Sequence, residues 1–362
     1  MKKLGDICDI KMGQSPSSNS YNAEKIGLPF FQGNADFGSK YPCVRLYCSA
    51  PIKVANKGDV LFSVRAPIGA INIAEQLCCI GRGLAALTPK NSTLEYLYFL
   101  LKAKSQILQS IGTGSTFKAI TKISLFSLPI PDHSVLIQNQ ITQKLSLLEK
   151  LINEREEQVK SFDMLAKSRF IEMFGDISNN SKNIEISTLG KECIIISGGT
   201  PRTGNDEYWN GNIKWITPAE INEIERTIYD TERHITEKGR RSAHLEIMPK
   251  GTVLLSSRAP IGKLAIAGSE MTCNQGFKNL IPNDRLTSIF LYYYLKGIIP
   301  EIQSLGRGAT FKEISKAIVS DIKILVPPKN KQLAFSSLVE LLDKSKFRMK
   351  KCLKLLSYIR HL

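Results

Sequence analysis

Twelve residues of this chain occur twice, and the repetition constrains its architecture more than any other feature. Gly58-Asp-Val-Leu-Phe-Ser-Val-Arg65-Ala-Pro67-Ile-Gly69 returns as Gly251-Thr-Val-Leu-Leu-Ser-Ser-Arg258-Ala-Pro260-Ile-Gly262, identical at nine of twelve positions. Shorter matches flank it. Leu4-Gly5-Asp6 and Gly13-Gln14-Ser15-Pro16 return 185 residues later as Leu189-Gly190-Lys191 and Gly198-Gly199-Thr200-Pro201. Gly112-Thr-Gly114-Ser-Thr116-Phe117-Lys118 returns 194 residues later as Gly306-Arg-Gly308-Ala-Thr310-Phe311-Lys312. Two copies are too few for a solenoid, and 362 residues are too many for one core, so the chain reads as two related domains.

Each copy is followed by a helical stretch. From 135 to 174 apolar residues recur at steps of three and four: Leu145, Leu148, Ile152, Val159, Phe162, Ala166 and Met173, with Arg155 and Arg169 in the polar slots. Neither proline nor glycine interrupts the run between Pro131 and Gly175. This is a heptad seam on one helix, and at 1.5 Å per residue it reaches about 60 Å. Such a seam needs a second helix to cover it. The pattern returns through Leu338, Leu342, Ser345, Met349, Cys352, Leu356 and Ile359. The expected division is a first domain at 1–131, a central long helix at 132–174, a linker at 175–184, a second domain at 185–328 and a C-terminal long helix at 329–362.

Within each domain, 60–64 with 70–74, and 252–256 with 264–267, read as strand-turn-strand around Ala-Pro-Ile-Gly. A helix follows, with Leu94, Leu97, Tyr98, Leu101 and Leu108 on one face, and Phe290, Leu291, Tyr294 and Leu295 on its counterpart. The fold class is mixed α/β (α+β): two globular domains separated by two long antiparallel coiled-coil helices, related by a pseudo-two-fold internal repeat.

Lys and Arg number 49 against 33 Asp and Glu, a formal charge of +16 that suits a polyanionic partner. No apolar run is long enough to span a bilayer, so nucleic acid suits the charge better than lipid. Met1-Lys2-Lys3-Leu4-Gly5-Asp6 builds no apolar core of a signal peptide. The eight cysteines contain no Cys-x-x-Cys pair, which points to buried thiols in a reducing cytoplasm. An enzyme would need a constellation of reactive groups. The four histidines, His133, His234, His244 and His361, have no counterparts between the copies, and no phosphate-binding Gly-x-x-x-x-Gly-Lys-Ser/Thr occurs. Pro327-Pro328 lacks the neighbours of an amino-methyltransferase motif.

These residues resemble the specificity (S) subunit of type I restriction-modification systems. The likeness rests on Gly198-Gly-Thr-Pro201 and the weaker Gly13-Gln-Ser-Pro16, on Gly58-Asp-Val-Leu61 and the departing Gly251-Thr-Val-Leu254, and on a Pro-rich step into each long helix. Asn139-Gln140-Ile141 and Lys331-Gln332-Leu333 stand where Glu-Gln is usual. The resemblance covers almost the whole chain. It implies two target-recognition domains and a non-catalytic subunit that reads an asymmetric, bipartite duplex-DNA target. It also implies partners: two modification (adenine methyltransferase) subunits and restriction (motor-nuclease) subunits. No cofactor is expected on this chain, with S-adenosylmethionine, ATP and Mg on the partners. No catalytic residue and no metal site is expected. The alternative is a stand-alone duplex-DNA-binding regulator; a fused restriction-modification fragment lacks its catalytic motifs.

If the domains read different half-sites, residues identical in both cannot supply the difference. Arg65 and Arg258, Lys118 and Lys312, and Thr116 and Thr310 are therefore candidates for scaffold or phosphate contact. Base reading is expected where the copies diverge, at 19–45 and 205–246. The candidates there are Tyr21, Lys25, Gln32, Asn34, Lys40 and Arg45, then Tyr208, Arg226, Arg233, Lys238, Arg240 and Arg241. Arg and Lys suit guanine edges, Asn and Gln adenine edges. Trp209 in the same stretch reads as core rather than a stacking platform. Leu145, Leu148, Ile152, Val159, Phe162, Leu338, Leu342, Met349, Leu356 and Ile359 are the expected helix-pairing set, and rod length is expected to set the unread gap.

Overall fold

The described residues of the repeated twelve form the same strand-turn-strand in both copies because the same side chains close the loop. Val60–Ser63 runs antiparallel to Ile71–Ile73, and Val253–Leu255 to Leu264–Ala267. Between them Gly69 and Gly262 adopt φ of 95° and 94°, a left-handed conformation costly for any residue with a Cβ. The Ser63 hydroxyl donates to the Pro67 carbonyl at 3.0 Å, and the Ser256 hydroxyl to that of Pro260 at 2.7 Å. The computed structural model describes residues 1–111, 119–177, 179–222, 226–258, 260–307 and 312–361, of which 111 and 357–361 by backbone alone. Thr116, Lys118, Thr310 and the Ile359 side chain lie outside the described residues.

Two compact units divide the chain: residues 1–155 with 353–362, and residues 156–352. In the first unit a sheet runs in the order Cys8–Met12, Leu84–Pro89, Val60–Ser63, Ile71–Ile73. The second unit repeats this with Cys193–Ser197, Lys278–Pro282, Val253–Leu255, Leu264–Ala267 and adds the edge strand Thr227–Ile228. The register is shared, with Cys8 opposite Pro89 and Cys193 opposite Pro282. The glycine that opens each Gly-x-Ser/Thr-Pro segment is a matter of space: a Cβ at Gly13 or Gly198 would lie 2.2 Å from a backbone carbonyl oxygen, that of Gly81 or Cys273.

The divergent segments also share a plan invisible in their sequences. Leu28–Phe31 lies parallel to Cys78–Ile80, with Phe31 beside Ile80; Trp209–Ile216 lies parallel to Thr272–Cys273, with Ile216 beside Cys273. Phe31 and Ile216 are thus equivalent. Six cysteines are buried and two, Cys43 and Cys352, exposed; burial pushes the Cys8, Cys78, Cys193 and Cys273 thiols up to about 12.

Helices Leu94–Ala103 and Ser288–Gly297 start at Thr93 and Thr287, whose hydroxyls each accept a backbone N–H at 3.2 Å. Leu97, Tyr98, Leu101 and Leu108 are buried as the periodicity requires, and so are Phe290, Leu291, Tyr294 and Leu295. The long helices are Val135–Phe174, 40 residues, and Lys329–His361, 33 residues. Within the second unit they run antiparallel: Phe174 meets Phe335 at 5.7 Å between ring centroids, while Asp163 pairs with Lys346 at 2.6 Å.

The residues of the expected seam differ in burial. Ile152 and Leu342 are buried, and Leu145, Leu148, Val159, Phe162, Leu338, Met349 and Leu356 half-buried. Two positions differ. Arg169 is exposed and pairs with Glu172, while Phe170 and Phe174 take the covered face with Ala166. Steps of four at 166, 170 and 174 follow a straight helix at 3.6 residues per turn, because this end lies on a globular core as well as on a partner helix. Phe170 stacks on Phe290 at 5.5 Å and meets Phe335 edge-on at 5.4 Å. On the C-terminal helix Cys352 is exposed and Leu353 half-buried, so the stripe passes through 346, 349, 353 and 356.

The glutamine entering each long helix needs a second correction. Gln332 is fully buried: its Oε1 accepts the Thr287 N–H at 2.8 Å, and its Nε2 donates to the Arg285 and Pro327 carbonyls at 2.8 Å each. Its counterpart is Gln138, not Gln140. Gln138 is buried, accepts the Thr93 N–H at 3.4 Å and donates to His133 O at 3.0 Å, while Gln140 is exposed. The 194-residue offset set at Gly112 simply persists into the helix.

Candidate nucleic-acid interface

In the first unit the strand Leu28–Phe31 delivers the chain into a loop organised by one buried acid. Asp36 accepts the Gln32 N–H at 2.7 Å and the Gly33 N–H at 3.3 Å on one oxygen; its other oxygen takes Arg45 Nη2 at 2.5 Å and Nε at 3.1 Å. The loop therefore presents Gln32, Asn34 and Arg45 together. They line a cavity of about 610 Å³ with Phe30, Ala66 and Pro67, the last two from the repeated turn. Neither the Gln32 nor the Asn34 side-chain amide is bonded to a described residue, which leaves both donors and acceptors for a base edge. Tyr21 has a different place: its hydroxyl donates to Pro16 O at 2.8 Å and its ring stacks on Phe30 at 4.6 Å. Lys25 is exposed on a turn at φ 65°.

The second unit builds its divergent surface on two tryptophans. Trp209 and Trp215 meet edge-to-face at 5.1 Å and are buried with Ile235 and Leu245, Tyr208 packing beside them. Their indole N–H groups donate to Arg202 O and Gly199 O, so Trp209 is core, as its sequence context suggests. Arg233 lies over Trp209 with its guanidinium carbon 3.6 Å from the ring centroid. The short helix Glu237–Ser242, capped by Thr236, carries the remaining cations. Arg240 and Arg241 both bind Glu237, whose carboxyl those hydrogen bonds hold at about 2; Lys238 pairs with Glu207 at 2.5 Å. Lys238, Arg240 and Arg241 are thus each held by a carboxylate, the exposed Asp206 and Glu232 stand beside Glu207 and Arg233 in the chain, and Arg233 has no ion pair to a described residue.

The two arginines of the repeat differ in company. Arg258 Nε donates to the Glu313 carboxylate at 3.0 Å, and the buried Lys278 lies 3.6 Å from the same carboxylate. The first unit has Ala119 where the second has Glu313, both placed by an isolated bridge to the arginine, and Ala85 where it has Lys278. Arg65 is exposed, with no ion pair to a described residue. Lys312 is exposed beside this site.

Two candidates face inward instead. Lys40 lies over the Tyr98 ring at 5.5 Å. Arg226 forms an ion pair with Asp343 of the C-terminal helix, lies over Tyr292 and Tyr293, and keeps only 12 % of its side chain exposed. Burial pushes the Tyr292 phenol up to about 12, so the ring facing Arg226 stays neutral. Sequence reading missed Glu149 and Asp343, although they stand at the 194-residue offset of the repeat. Among the described residues no three His, Cys, Asp or Glu side chains converge as metal ligands, and no helix is long and apolar enough to cross a membrane.

The chain is a duplicated α/β domain, each copy leading into a long helix and each carrying a different divergent surface on one scaffold. The model of the type I restriction modification DNA specificity domain matches it twice, at residues 1–161 and 181–355, and the chain belongs to that family. It is 37% identical over 171 residues to the type I restriction enzyme MjaIX specificity subunit of Methanocaldococcus jannaschii, covering 46% of this chain and 40% of that one. It is 26% identical over 265 residues to the EcoR124I/EcoR124II specificity subunit of Escherichia coli, covering 69% and 63%. The match thus spans about two-fifths of the archaeal relative's length. The fold is that of the S subunit of M. genitalium, at TM-score 0.61 and 18% identity over 99% of this chain and 93% of that one. A chain from a structure of type I restriction-modification complex assembly agrees at TM-score 0.65 and 20% identity, covering 99% and 94%.

Proposed function

We propose that this chain is the DNA sequence-recognition subunit of a cytoplasmic type I restriction-modification complex. It carries no chemistry of its own and reads an asymmetric, bipartite duplex target, one half with each domain. The observation that carries this is the pairing of a common scaffold with unlike surfaces: Phe31 and Ile216 stand at equivalent places, yet the chain beyond them presents Gln32, Asn34 and Arg45 in one unit and Arg233, Lys238, Arg240 and Arg241 near the other. Two modification subunits using S-adenosylmethionine, and restriction subunits using ATP and Mg, are the partners this reading implies. Exposed Met164, Leu341 and Phe347 on the long helices support partner docking over a stand-alone regulator, because apolar side chains in water mark interaction surfaces.

The test is a segment exchange. Replacing 205–246 by the corresponding segment of a relative with another specificity, in the assembled complex, should change one half of the methylated target and leave the other half and the gap intact. Methylated sites that stay the same, or change in both halves, reject the assignment.

The arginines give a finer expectation. Arg65→Ala should weaken duplex binding about tenfold and lower the slope of log affinity against log salt by about one, the signature of one lost phosphate contact. Arg258→Ala should change the salt slope less, since the Glu313 carboxylate, shared with Lys278, already holds that guanidinium. Equal slopes for the two variants would remove Arg65 from the interface.

A further inference from the structure

Lys40 and Arg226 lie in segments that share no motif, yet the backbone makes them equivalent. The Lys40 carbonyl accepts the Ile73 N–H at 2.9 Å and the Arg226 carbonyl accepts the Ile266 N–H at 2.7 Å. Ile73 and Ile266 are matched residues: each stands opposite the valine of its Gly-x-Val-Leu strand, Val60 or Val253. Both side chains then turn to the tyrosine at the same place on the following helix, Tyr98 or Tyr292. Glu149 and Asp343 occupy matched positions on the long helices, and here the units part. Glu149 takes Lys102 of its own domain helix at 2.5 Å, leaving Lys40 over the Tyr41 and Tyr98 rings with no ion pair to a described residue. Asp343 takes Arg226.

We propose that the Arg226–Asp343 pair positions the recognition segment of the second unit, setting which half-site it reads without touching DNA. The proposal rests on the function proposed above. Arg226 leads directly into the edge strand Thr227–Ile228, which lies parallel to Leu264–Ala267. The chain beyond is held in turn. Lys214 Nζ donates to Tyr229 O at 2.7 Å, the Thr231 hydroxyl accepts the Trp215 N–H at 3.1 Å and donates to Arg233 O at 2.8 Å, and Arg233 lies on Trp209. A displacement at Arg226 is therefore passed through one strand and a row of hydrogen bonds to the first exposed cation of the reading surface. The pair is covered on the arginine side and open on the aspartate side, and such a pair adds little net stability, because desolvation and solvent screening offset its attraction. What it adds is geometry: the guanidinium has one place where it meets both the carboxylate and the two rings. Among the described residues of the first unit, Lys40 pairs with no long-helix carboxylate, so Glu149 serves as the internal control.

The test uses the full chain and its assembled complex. Asp343→Ala should speed amide hydrogen exchange across 226–235 at least tenfold and relax discrimination about tenfold in the half-site of the second unit, with the other half unchanged. Asp343→Glu should restore both, and Glu149→Gln should alter neither half. Arg226→Gln, which leaves no buried charge, should reproduce Asp343→Ala and keeps the test open if that variant folds poorly. Unchanged exchange across 226–235 in Arg226→Gln, or relaxation of both half-sites together, overturns the proposal. Hydrogen exchange needs no DNA, so a complex that reads no sequence would defeat the functional reading while the clamp is still judged.

Discussion

Phe170→Asp is expected to unfold the second unit, whereas Arg169→Asp one residue earlier should change its stability by less than about 0.5 kcal/mol. Phe170 contacts Phe174, Phe290, Tyr293 and Phe335 at centroid separations of 5.0 to 6.2 Å, and is 4 % exposed. Removing such a ring alone costs about 3–5 kcal/mol. Placing a carboxylate there adds a buried charge with no partner, so the total approaches the whole stability of a typical domain. Arg169, about 100° around the helix, is exposed to water and paired with Glu172. Urea denaturation followed by tryptophan fluorescence reports on this unit, because both tryptophans belong to it. If Arg169→Asp proves the more damaging change, the heptad reading of this helix end is right and the packing described above is wrong.

That pair of neighbouring residues marks where sequence reading stops. A heptad is a statement about two helices facing each other, and it served from Leu145 to Ala166, where the covering surface is narrow. Past Ala166 the helix also lies on the aromatic core of the second domain, and a wider surface selects Phe170 and Phe174, which a strict repeat passes over. The shared twelve residues were legible because identical side chains must make identical turns. The equivalence of Phe31 with Ile216, and of Lys40 with Arg226, was not, because backbone pairing maintains it and backbone pairing is indifferent to side-chain identity.

The candidate surface divides along the same line. Gln32, Asn34, Arg45 and the cations at 233–241 could be found from composition in divergent stretches, and the structure gathers them. Composition could not show that Arg226 faces inward, or that Glu313 attends Arg258 and leaves Arg65 alone. In each case the deciding partner, Asp343 or Glu313, is more than 50 residues away in the chain.

Gln332→Ala should cost the second unit about 3 kcal/mol or more, the largest effect expected of any single uncharged truncation at a helix entrance. The side chain is fully buried and makes three hydrogen bonds, all to backbone: one accepted from the first domain-helix cap at Thr287 and two donated, to Arg285 and Pro327. Alanine leaves the Thr287 N–H and two carbonyls without partners in a site closed to water, and each orphaned group costs about 1–3 kcal/mol. Gln332→Glu should not rescue it. A carboxylate can still accept from Thr287, but it has nothing to donate and places negative charge against two carbonyl oxygens. Gln138→Ala should cost less, because its bond from Thr93 is long at 3.4 Å and it donates only once, to His133. Gln140→Ala should be silent, since that side chain is in water. The ordering, measured by chemical denaturation of the four variants, tests whether a buried amide joins each globular domain to its long helix. A loss at Gln140 equal to that at Gln332 would break the equivalence on which the joint is built.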